Sequence, residues 1–373
     1  MSLRLLEVRS RQDLKRWVRF PYEHYRGHPH FVPQLFREEL AYFDRSKNPA
    51  FEVAEVKLFL ALDGDRLVGR ICAIVHSLET EKLGYKRGRF GWFESIDDQA
   101  VADLLLNGTR EWLIEQGCVQ MTGPHGFTDL DLEGLLVDGF DCTPTISGSY
   151  NHPYYAGLLE NFGFEKDVDY LDYRFAVPDE IPFFERMKKR YANLEEYKVV
   201  TCRNSKELRG HLDDLWRVLH AAFEPLYGVM PLTPKQTEYY AKKYFGFLDP
   251  DFVKLLFHRD GELVAFLVGM PNLSHAFRKA RGKLLPLGIF HILRGYRHPD
   301  TVDFLLAGSL PDHPTSLLTA IGLADMFDTL RARGVKFVEG NHELEDNTTV
   351  HGMWSRFPIV NVRRSRIFRL SLT

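Results

Sequence analysis

The chain is poor in cysteine. Cys72, Cys118, Cys142 and Cys202 are four thiols in 373 residues, widely spaced and without a CxxC pair, so neither a disulfide framework nor a zinc knuckle is indicated and a reducing compartment fits best. No uninterrupted apolar run approaches the roughly 20 residues that cross a bilayer, and Met1 to Arg11 is charged and lacks the apolar stretch of a secretory signal. A cytoplasmic location is expected. Neither sign of charge is in excess: 48 Lys and Arg against 51 Asp and Glu leave a formal net charge of -3. Nothing global therefore attracts nucleic acid; DNA is not expected as a partner, and RNA would need a local basic patch. HExxH, a P-loop, GxGxxG with its acidic residue and the GxSxG elbow are all missing, which argues against the corresponding metal, nucleotide and serine-hydrolase chemistries. His24, His28 and His30 come closest to a metal cluster, but Gly27 and Pro29 interrupt any helix that would align the first two. They are read as loop residues, and no metal is expected.

What is present is an ordinary globular balance, 45% hydrophobic and 27% charged, in a chain long enough for two domains. Alternating apolar residues Leu58, Leu60 and Leu62 meet Asp63-Gly64-Asp65 and resume through Leu67, Val68, Ile71 and Ile74, which predicts a β-hairpin. The pattern recurs at Lys254 to Gly269 around Asp260-Gly261. From Asp63 to Asp260 is 197 positions, and from Asn151 to Asn347, each opening a short helical segment, is 196. A third pair is the helix-to-strand junction. Val101, Leu104 and Leu113 before Gly117 match Leu318, Ile321 and Leu330 before Gly334, at an offset of 217 because the copies carry different insertions. The first inserts Gly123 to Gly148; the second lengthens Pro271 to Asp300. Ordered landmarks at similar offsets predict a duplicated unit, divided as residues 1–184, a charged connector helix at 185–198, and residues 199–373.

A hairpin, a helix after a strand, a further strand and then Asn151 to Phe164, with Pro153 early and Gly163 as its stop, resembles the element order and terminal motif of the GNAT (acyl-CoA N-acyltransferase) superfamily. Phe20-Pro21-Tyr22, Asn48-Pro49-Ala50-Phe51, Val68-Gly69-Arg70-Ile71, Gly134 to Asp141 and Glu345-Asp346-Asn347 extend the resemblance to bacterial tandem GNAT-like proteins over nearly the whole chain. The resemblance implies an α/β fold of two GNAT-type domains, each a mixed central sheet flanked by helices. It also implies an acyl-CoA donor, acetyl-CoA or a longer acyl-CoA, and a small-molecule amine acceptor.

In such proteins a Gly-rich turn at the start of the helix after the fourth strand cradles the CoA pyrophosphate, as anions bind at helix N-termini. The first copy offers Phe93 to Gln99, with no glycine and with Asp97 and Asp98, which repel phosphate. The second offers Leu306 to Leu317, from which Gly308, Leu310, His313, Thr315 and Ser316 are candidate donor-binding residues, joined by Asn347 of the terminal motif. The plainer expectation is that Thr315 or Ser316 caps the helix. The family's usual acid, a tyrosine four residues before the motif's glycine, is replaced by Leu159 and, in the second copy, by Trp354; Tyr155 is the nearest substitute. Glu94 and Glu339, each at a strand end, are the candidate bases, against the plainer reading of solvated glutamates. His125 is read as a turn histidine.

Pro271 to Pro299 contains Arg278, Lys279, Arg281, Lys283, Arg294 and Arg297 and no acidic residue. With Leu284, Leu285, Leu287, Ile289, Phe290 and Ile292 interleaved, it predicts an amphipathic pair of helices around Pro286-Leu287-Gly288. Such a unit suits a lid over an anionic ligand, anionic lipid headgroups, RNA, or simply a solvated basic face. The function expected is an acyl-CoA-dependent N-acyltransferase with one working and one structural copy; the alternative is a non-catalytic GNAT-like scaffold that binds a ligand or partner.

Overall fold

The structure, a computed structural model, describes residues 2–191, 196–246 and 248–373. Its strands are β1 Leu3–Glu7, β2 Ala54–Asp63, β3 Arg66–His76, β4 Arg87–Ser95, β5 Gln120–Gly123, β6 Leu135–Asp138, β7 Glu165–Ala176, β8 Tyr197–Val200, β9 Val253–His258, β10 Leu263–Pro271, β11 Thr301–Ser309, β12 Phe337–Gly340, β13 Glu343–Leu344 and β14 Ile359–Ser371. They form a sheet in the order β1-β2-β3-β4-β5-β14-β7-β12-β11-β10-β9-β8, with β6 on β14 and β13 on β7. With β8 to β12 matched to β1 to β5, and β7 to β14, the order reads alike from either end. Among the described residues only β4–β5 and β11–β12 are parallel; every other pair is antiparallel.

The predicted hairpins are β2–β3 and β9–β10, each turning on a left-handed glycine, Gly64 (φ 57°) and Gly261 (φ 90°). The predicted helix-to-strand junctions are the helices Gln99–Glu115 and Thr315–Ala332, followed by Gly117 (φ 80°) and Gly334 (φ 68°). These glycines end each helix where a side chain would resist the backbone geometry. Val101, Leu113, Leu318 and Leu330 of the matched stripes are buried, in one or the other copy's core.

Each copy has helices on both faces of its half of the sheet. In the first, Gln99–Glu115 and Tyr155–Phe162 cover one face and Arg11–His24 and Phe36–Tyr42 the other. In the second, Thr315–Ala332 and Thr348–Trp354 lie opposite Leu212–Phe223. A helix, Pro182–Tyr191, overlaps the first part of the expected connector. Ile181 and Phe184 are buried in the second core, which holds this helix start to the second copy. Residues 192–195 of the expected connector lie outside the described residues.

The centre is a strand exchange. β7, from the first copy, sits beside β12 of the second, while β14, from the second, sits beside β5 of the first. β7 and β14 pair with each other along most of their length. Their register opposes an acid on β7 to an arginine on β14 three times: Glu165 to Arg369, Asp169 to Arg366, and Asp172 to Arg363. Asp169 accepts from Arg366 Nε at 2.8 Å and Arg364 Nη1 at 3.0 Å. Asp172, buried, accepts from Arg363 Nη2 at 2.6 Å and from the His342 backbone N–H at 2.7 Å, and lies 2.9 Å from His342 Nδ1.

Burial alone would raise the Asp172 pKa, but His342 and Arg363 hold it well below the usual carboxylate range. Burial opposes the charge on His342 too, yet Asp172 raises its pKa above the ordinary value. Its Nε2 faces the Glu133 carbonyl at 3.2 Å, so both ring nitrogens meet acceptors and the imidazolium is the form that satisfies both.

Removing Asp172 strands two buried cations. Asp172→Ala is expected to cost about 3–5 kcal/mol in urea unfolding. The raised His342 pKa contributes stability in full below its unfolded value near 6.5, and that contribution is lost as pH rises through the folded value; the Asp172 contribution is lost only in acid, as pH falls through its depressed value. Unfolding free energy measured from pH 6 to pH 9 should therefore fall in the wild type by a component that His342→Gln abolishes.

Candidate functional site: two unequal forks

A parallel strand pair whose members diverge leaves a fork with a free edge. Each copy has one: β4 and β5 separate beyond Arg89 and Thr122, and β11 and β12 beyond Phe304 and Gly340.

The first fork is closed. The chain leaving β5 turns back on β4, with the His125 N–H donating to the Phe90 carbonyl at 2.7 Å. It lies so close that a Cβ at Gly91 would overlap the His125 carbonyl oxygen. Farther along, the Ser95 N–H donates to the Tyr155 hydroxyl at 3.1 Å, and the Tyr154 hydroxyl donates to the Ser95 carbonyl at 2.7 Å. Every residue of β4 but Trp92 is buried. Trp92 itself is held at φ 47° where the β3–β4 register shifts, a bulge that re-aims the residues after it. The helix beyond this fork is closed as well, since the Asp98 carboxylate accepts from the Ala100 N–H at 2.9 Å.

Glu94 and Tyr155, both singled out in the sequence, meet in this closed fork. Glu94 Oε2 accepts from the Tyr155 hydroxyl at 2.8 Å and from the Tyr25 hydroxyl at 2.6 Å. The Tyr155 hydroxyl is also 3.1 Å from His24 Nε2. Arg70 Nη2 is 3.7 Å from Glu94 Oε1, and its guanidinium lies 4.3 Å over the Trp17 ring. Burial raises the Glu94 pKa against the pull of Arg70 and the two hydroxyls. Burial also lowers the His24 pKa to about 4, leaving a neutral imidazole at pH 7. Glu94, Arg70 and Glu39 line a cavity of about 100 Å³ with Tyr22, Gln34, Trp92 and, from the first insertion, Pro144 and Gly148. A larger groove of about 870 Å³, between the β1–β2 edge and the helix Phe36–Tyr42, touches neither fork.

The second fork is open. Beyond Phe304, residues 305–308 are half-buried or exposed, and among the described residues no strand pairs with β11 there on the side facing β12. The edge leads to the helix Thr315–Ala332, whose N-cap is Pro314 and which carries no side-chain cap. The capping expected of Thr315 or Ser316 is thus corrected: proline takes the cap position and has no side-chain oxygen to offer, while the Thr315 hydroxyl lies 2.8 Å from the Ser309 hydroxyl. Thr315 and Ser316 are exposed, and His313 Nδ1 is 3.1 Å from the Tyr197 hydroxyl. Leu310 packs at the edge of a buried cluster. Asn347 caps the helix Thr348–Trp354 by accepting from the Val350 N–H at 3.3 Å.

Glu339 lies one pair below this fork, opposite Asp303. It is buried and ion-paired with Arg174, and burial, partly offset by Arg363 and Arg174, raises its pKa. Asp303, fully buried, accepts from Asn272 Nδ2 at 2.7 Å, while its Oδ2 has no hydrogen-bond partner among the described residues. Burial and Glu339 raise its pKa strongly, which favours the neutral acid.

The register equates the forks. Gly69–Ser95 and Arg70–Glu94 in the first correspond to Ala265–Ser309 and Phe266–Gly308 in the second. A phenylalanine and a glycine therefore stand where the first copy has its ion pair. At Gly308 a Cβ would come 2.8 Å from the Ala222 Cβ, so glycine permits the close approach. Sequence reasoning missed Tyr25, Arg70, Arg174 and Asp303. Arg70 and Asp303 did leave a signal, since each is a lone charge inside an apolar strand run.

No family model matches the chain. The chain is 31% identical over 290 residues to the bacterial ceramide synthase of Caulobacter vibrioides (strain NA1000 / CB15N), a match covering 77% of this chain and 74% of that protein. It is 26% identical over 368 residues to Protein YghO of Escherichia coli (strain K12), covering 96% and 93%. Among solved structures, the tandem GNAT protein from the clavulanic acid biosynthesis pathway matches over 100% of this chain and 99% of that chain with a TM-score of 0.55 at 12% identity, a likeness of fold. The expected pair of GNAT-type domains is borne out.

Closure of the first fork rests on the contact at Gly91. Gly91→Ala is expected to destabilise the protein by about 3 kcal/mol in urea unfolding, because the obstacle is backbone and cannot rotate away.

Proposed function

Since the chain is a tandem GNAT-like protein of the family that includes the Caulobacter bacterial ceramide synthase, we propose that it is an N-acyltransferase that uses acyl-CoA at its second fork. A ceramide is an N-acylated long-chain amino alcohol, so the relative's name supports a fatty acyl donor and a long-chain amine acceptor. The observation that carries the assignment is the inequality of the forks. An extended pantetheine arm needs a free strand edge, and a pyrophosphate needs free N–H groups at a helix start. The first copy has filled the edge with His125, Tyr154 and Tyr155 and has put the Asp98 carboxylate on the helix. The second leaves both free, with Thr315, Ser316 and His313 at the helix start and Asp312 as the one acid in the turn.

The bound donor supplies a thioester carbonyl. The chain's own task is to take a proton from the amine as the N–C bond forms and to return one to the sulfur as the C–S bond breaks. Glu339 is suited to the first step. It lies at the closed end of the open edge, and burial raises its pKa toward that of a working base. Arg174 holds its carboxylate in place. The first copy's insertion lies between the 100 Å³ cavity and this fork: Pro144 and Gly148 line the cavity, the Pro144 carbonyl accepts from the Ser274 hydroxyl at 2.7 Å, and a Cβ at Gly148 would come 2.8 Å from Arg363 Nη2. That placement supports an acceptor site between the copies, where ligands commonly bind.

A second reading rests on Glu94. It borders the cavity and receives two tyrosine hydroxyls, an arrangement that would also serve a base acting from the first fork.

Calorimetric titration with acetyl-CoA, a long-chain acyl-CoA and free CoA tests the donor site. Thr315→Asp/Ser316→Asp is expected to weaken binding at least about tenfold by placing two negative charges at the helix start. No binding of any of the three would sink the reading in favour of a non-catalytic scaffold. With a long-chain amine as acceptor, Glu339→Gln should lower kcat by about 10²- to 10⁴-fold, while Glu94→Gln leaves it within a few-fold. The reverse pattern would move the chemistry to the first fork.

A further inference from the structure

The segment between β10 and β11 forms the pair of helices its sequence predicts, Ser274–Ala280 and Gly288–Arg297. Its base is firmly seated. Leu273, Ala276, Phe277 and Ile292 are buried against Val32 and Leu35 of the first copy. The Phe36 N–H donates to the Gly282 carbonyl at 3.0 Å. Gly282, at φ 73°, lies so close to Tyr22 that a Cβ would overlap the ring.

Its apex is the opposite. Leu284, Leu285, Leu287, Phe290 and Leu293 are exposed, with Leu285, Leu287 and Phe290 at 65–66%. Of the twelve exposed large hydrophobic residues among the described residues, these five fall within ten positions, so the exposure is a feature of this segment and not a background of the surface. Around them Lys279, Arg281, Lys283, Arg294 and Arg297 are exposed and Arg278 is half-buried. None of the six makes an ion pair with a described residue, and the stretch 271–299 holds no acid to provide one. On the second helix Phe290, Leu293, Arg294 and Arg297 recur at three and four residues and share the exposed face, while Ile292 is buried. Mixed apolar and cationic side chains on one rigid face match the boundary between acyl chains and anionic headgroups. The apolar groups enter the acyl region and the cations meet lipid phosphates. Among the described residues no helix is long and apolar enough to cross a membrane, so the contact is interfacial.

We propose that this helical hairpin docks the protein on an anionic lipid bilayer. The occupant is set by charge complementarity: an apolar tip alone would suit a second copy of the chain, but six cations that pair with no described residue, in a protein of net charge -3, favour a surface of negative charge. The docking does not depend on the acyl-transfer reading and is tested without donor or acceptor. It does offer that reading a route for a lipid substrate, because Tyr22 and Gln34, which pack under Gly282, also line the 100 Å³ cavity.

Co-sedimentation of the full chain with vesicles decides the matter. Binding to phosphatidylcholine vesicles carrying about 30 mol% phosphatidylglycerol should be at least about tenfold tighter than to phosphatidylcholine alone, and should weaken as salt is raised. Leu285→Ser/Leu287→Ser/Phe290→Ser and, separately, Arg294→Glu/Arg297→Glu should each reduce it at least about tenfold. All five side chains are exposed, so the melting temperature should stay unchanged. Vesicle binding by the wild type that neither variant alters overturns the proposal, as does no binding at all. A wild-type dimer that the triple-serine variant converts to monomer, without vesicle binding, assigns the face to a second copy. RNA binding with a steep salt dependence, without vesicle binding, assigns it to nucleic acid.

Discussion

The pairing of β7 with β14 is the constraint on which the rest of the structure depends. Each copy of the repeated unit, left to itself, would end its sheet at a bare parallel strand, β5 or β12, because the strand that covers that edge comes from the other copy. The exchange is specified by charge. Glu165, Asp169 and Asp172 lie on one strand and Arg369, Arg366 and Arg363 opposite them on the other. Pairing β7 with a second β7 would set acid against acid, and a slip by one residue would turn every side chain to the other face. Asp172 is the most demanding member, buried and held by two cations that would otherwise be buried without a counter-charge. Such a group contributes less through its net attraction than through the cost of every alternative that leaves it unpaired.

Two-fold exchange makes the forks equivalent in topology, and side chains then make them unequal. The clearest difference is at the helix starts. A carboxylate on the first satisfies an orphan N–H and repels an anion; a proline before the second does neither. The same contrast runs along the strands, where β4 has its edge taken by the returning chain and two tyrosine hydroxyls while β11 has its own left free. Closing one fork completely removes its polar edge from water and adds hydrogen bonds to the first core. An open fork gives up that stability and keeps a place for a ligand.

Much of this was legible in the sequence because it is local. Alternation around Asp63-Gly64 and Asp260-Gly261, the stripes ahead of Gly117 and Gly334, and the cap at Asn347 are each set by a few neighbouring residues, whereas Asn151 binds the Leu136 backbone and the helix expected there begins only at Tyr155. The repeat followed from their offsets. The strand exchange was not legible, since Asp172 and Arg363 are 191 positions apart and an isolated strand does not state its partner. Nor could a strand-end position say which candidates meet: Glu94 and Tyr155 share a hydrogen bond, whereas Glu339 lies in a separate cluster with Arg174 and Asp303. The expected cap at Thr315 or Ser316 failed for a local reason, because hydroxyl residues mark helix starts only when one of them falls on the cap position itself.

The two insertions break the symmetry in complementary directions. The first, Gly123 to Gly148, turns inward: β6 pairs with β14, Gly139 packs on Arg363, and Pro144 meets Ser274 of the other copy. The second, Pro271 to Asp300, has its base against the first copy and turns its tip to solvent. Ser274 belongs to the second insertion and Pro144 to the first, so the two touch where they leave their own copies. An inward insertion that walls a cavity and an outward one that bears apolar and cationic side chains are thus joined by the Pro144–Ser274 hydrogen bond and by Ile146, which packs against Leu273, Ala276, Phe277 and Ile292. The base of the outer hairpin is therefore held from two sides, because Leu273, Ala276 and Phe277 pack in one cluster with Val32 and Leu35 of the first copy and with Ile146 of its insertion.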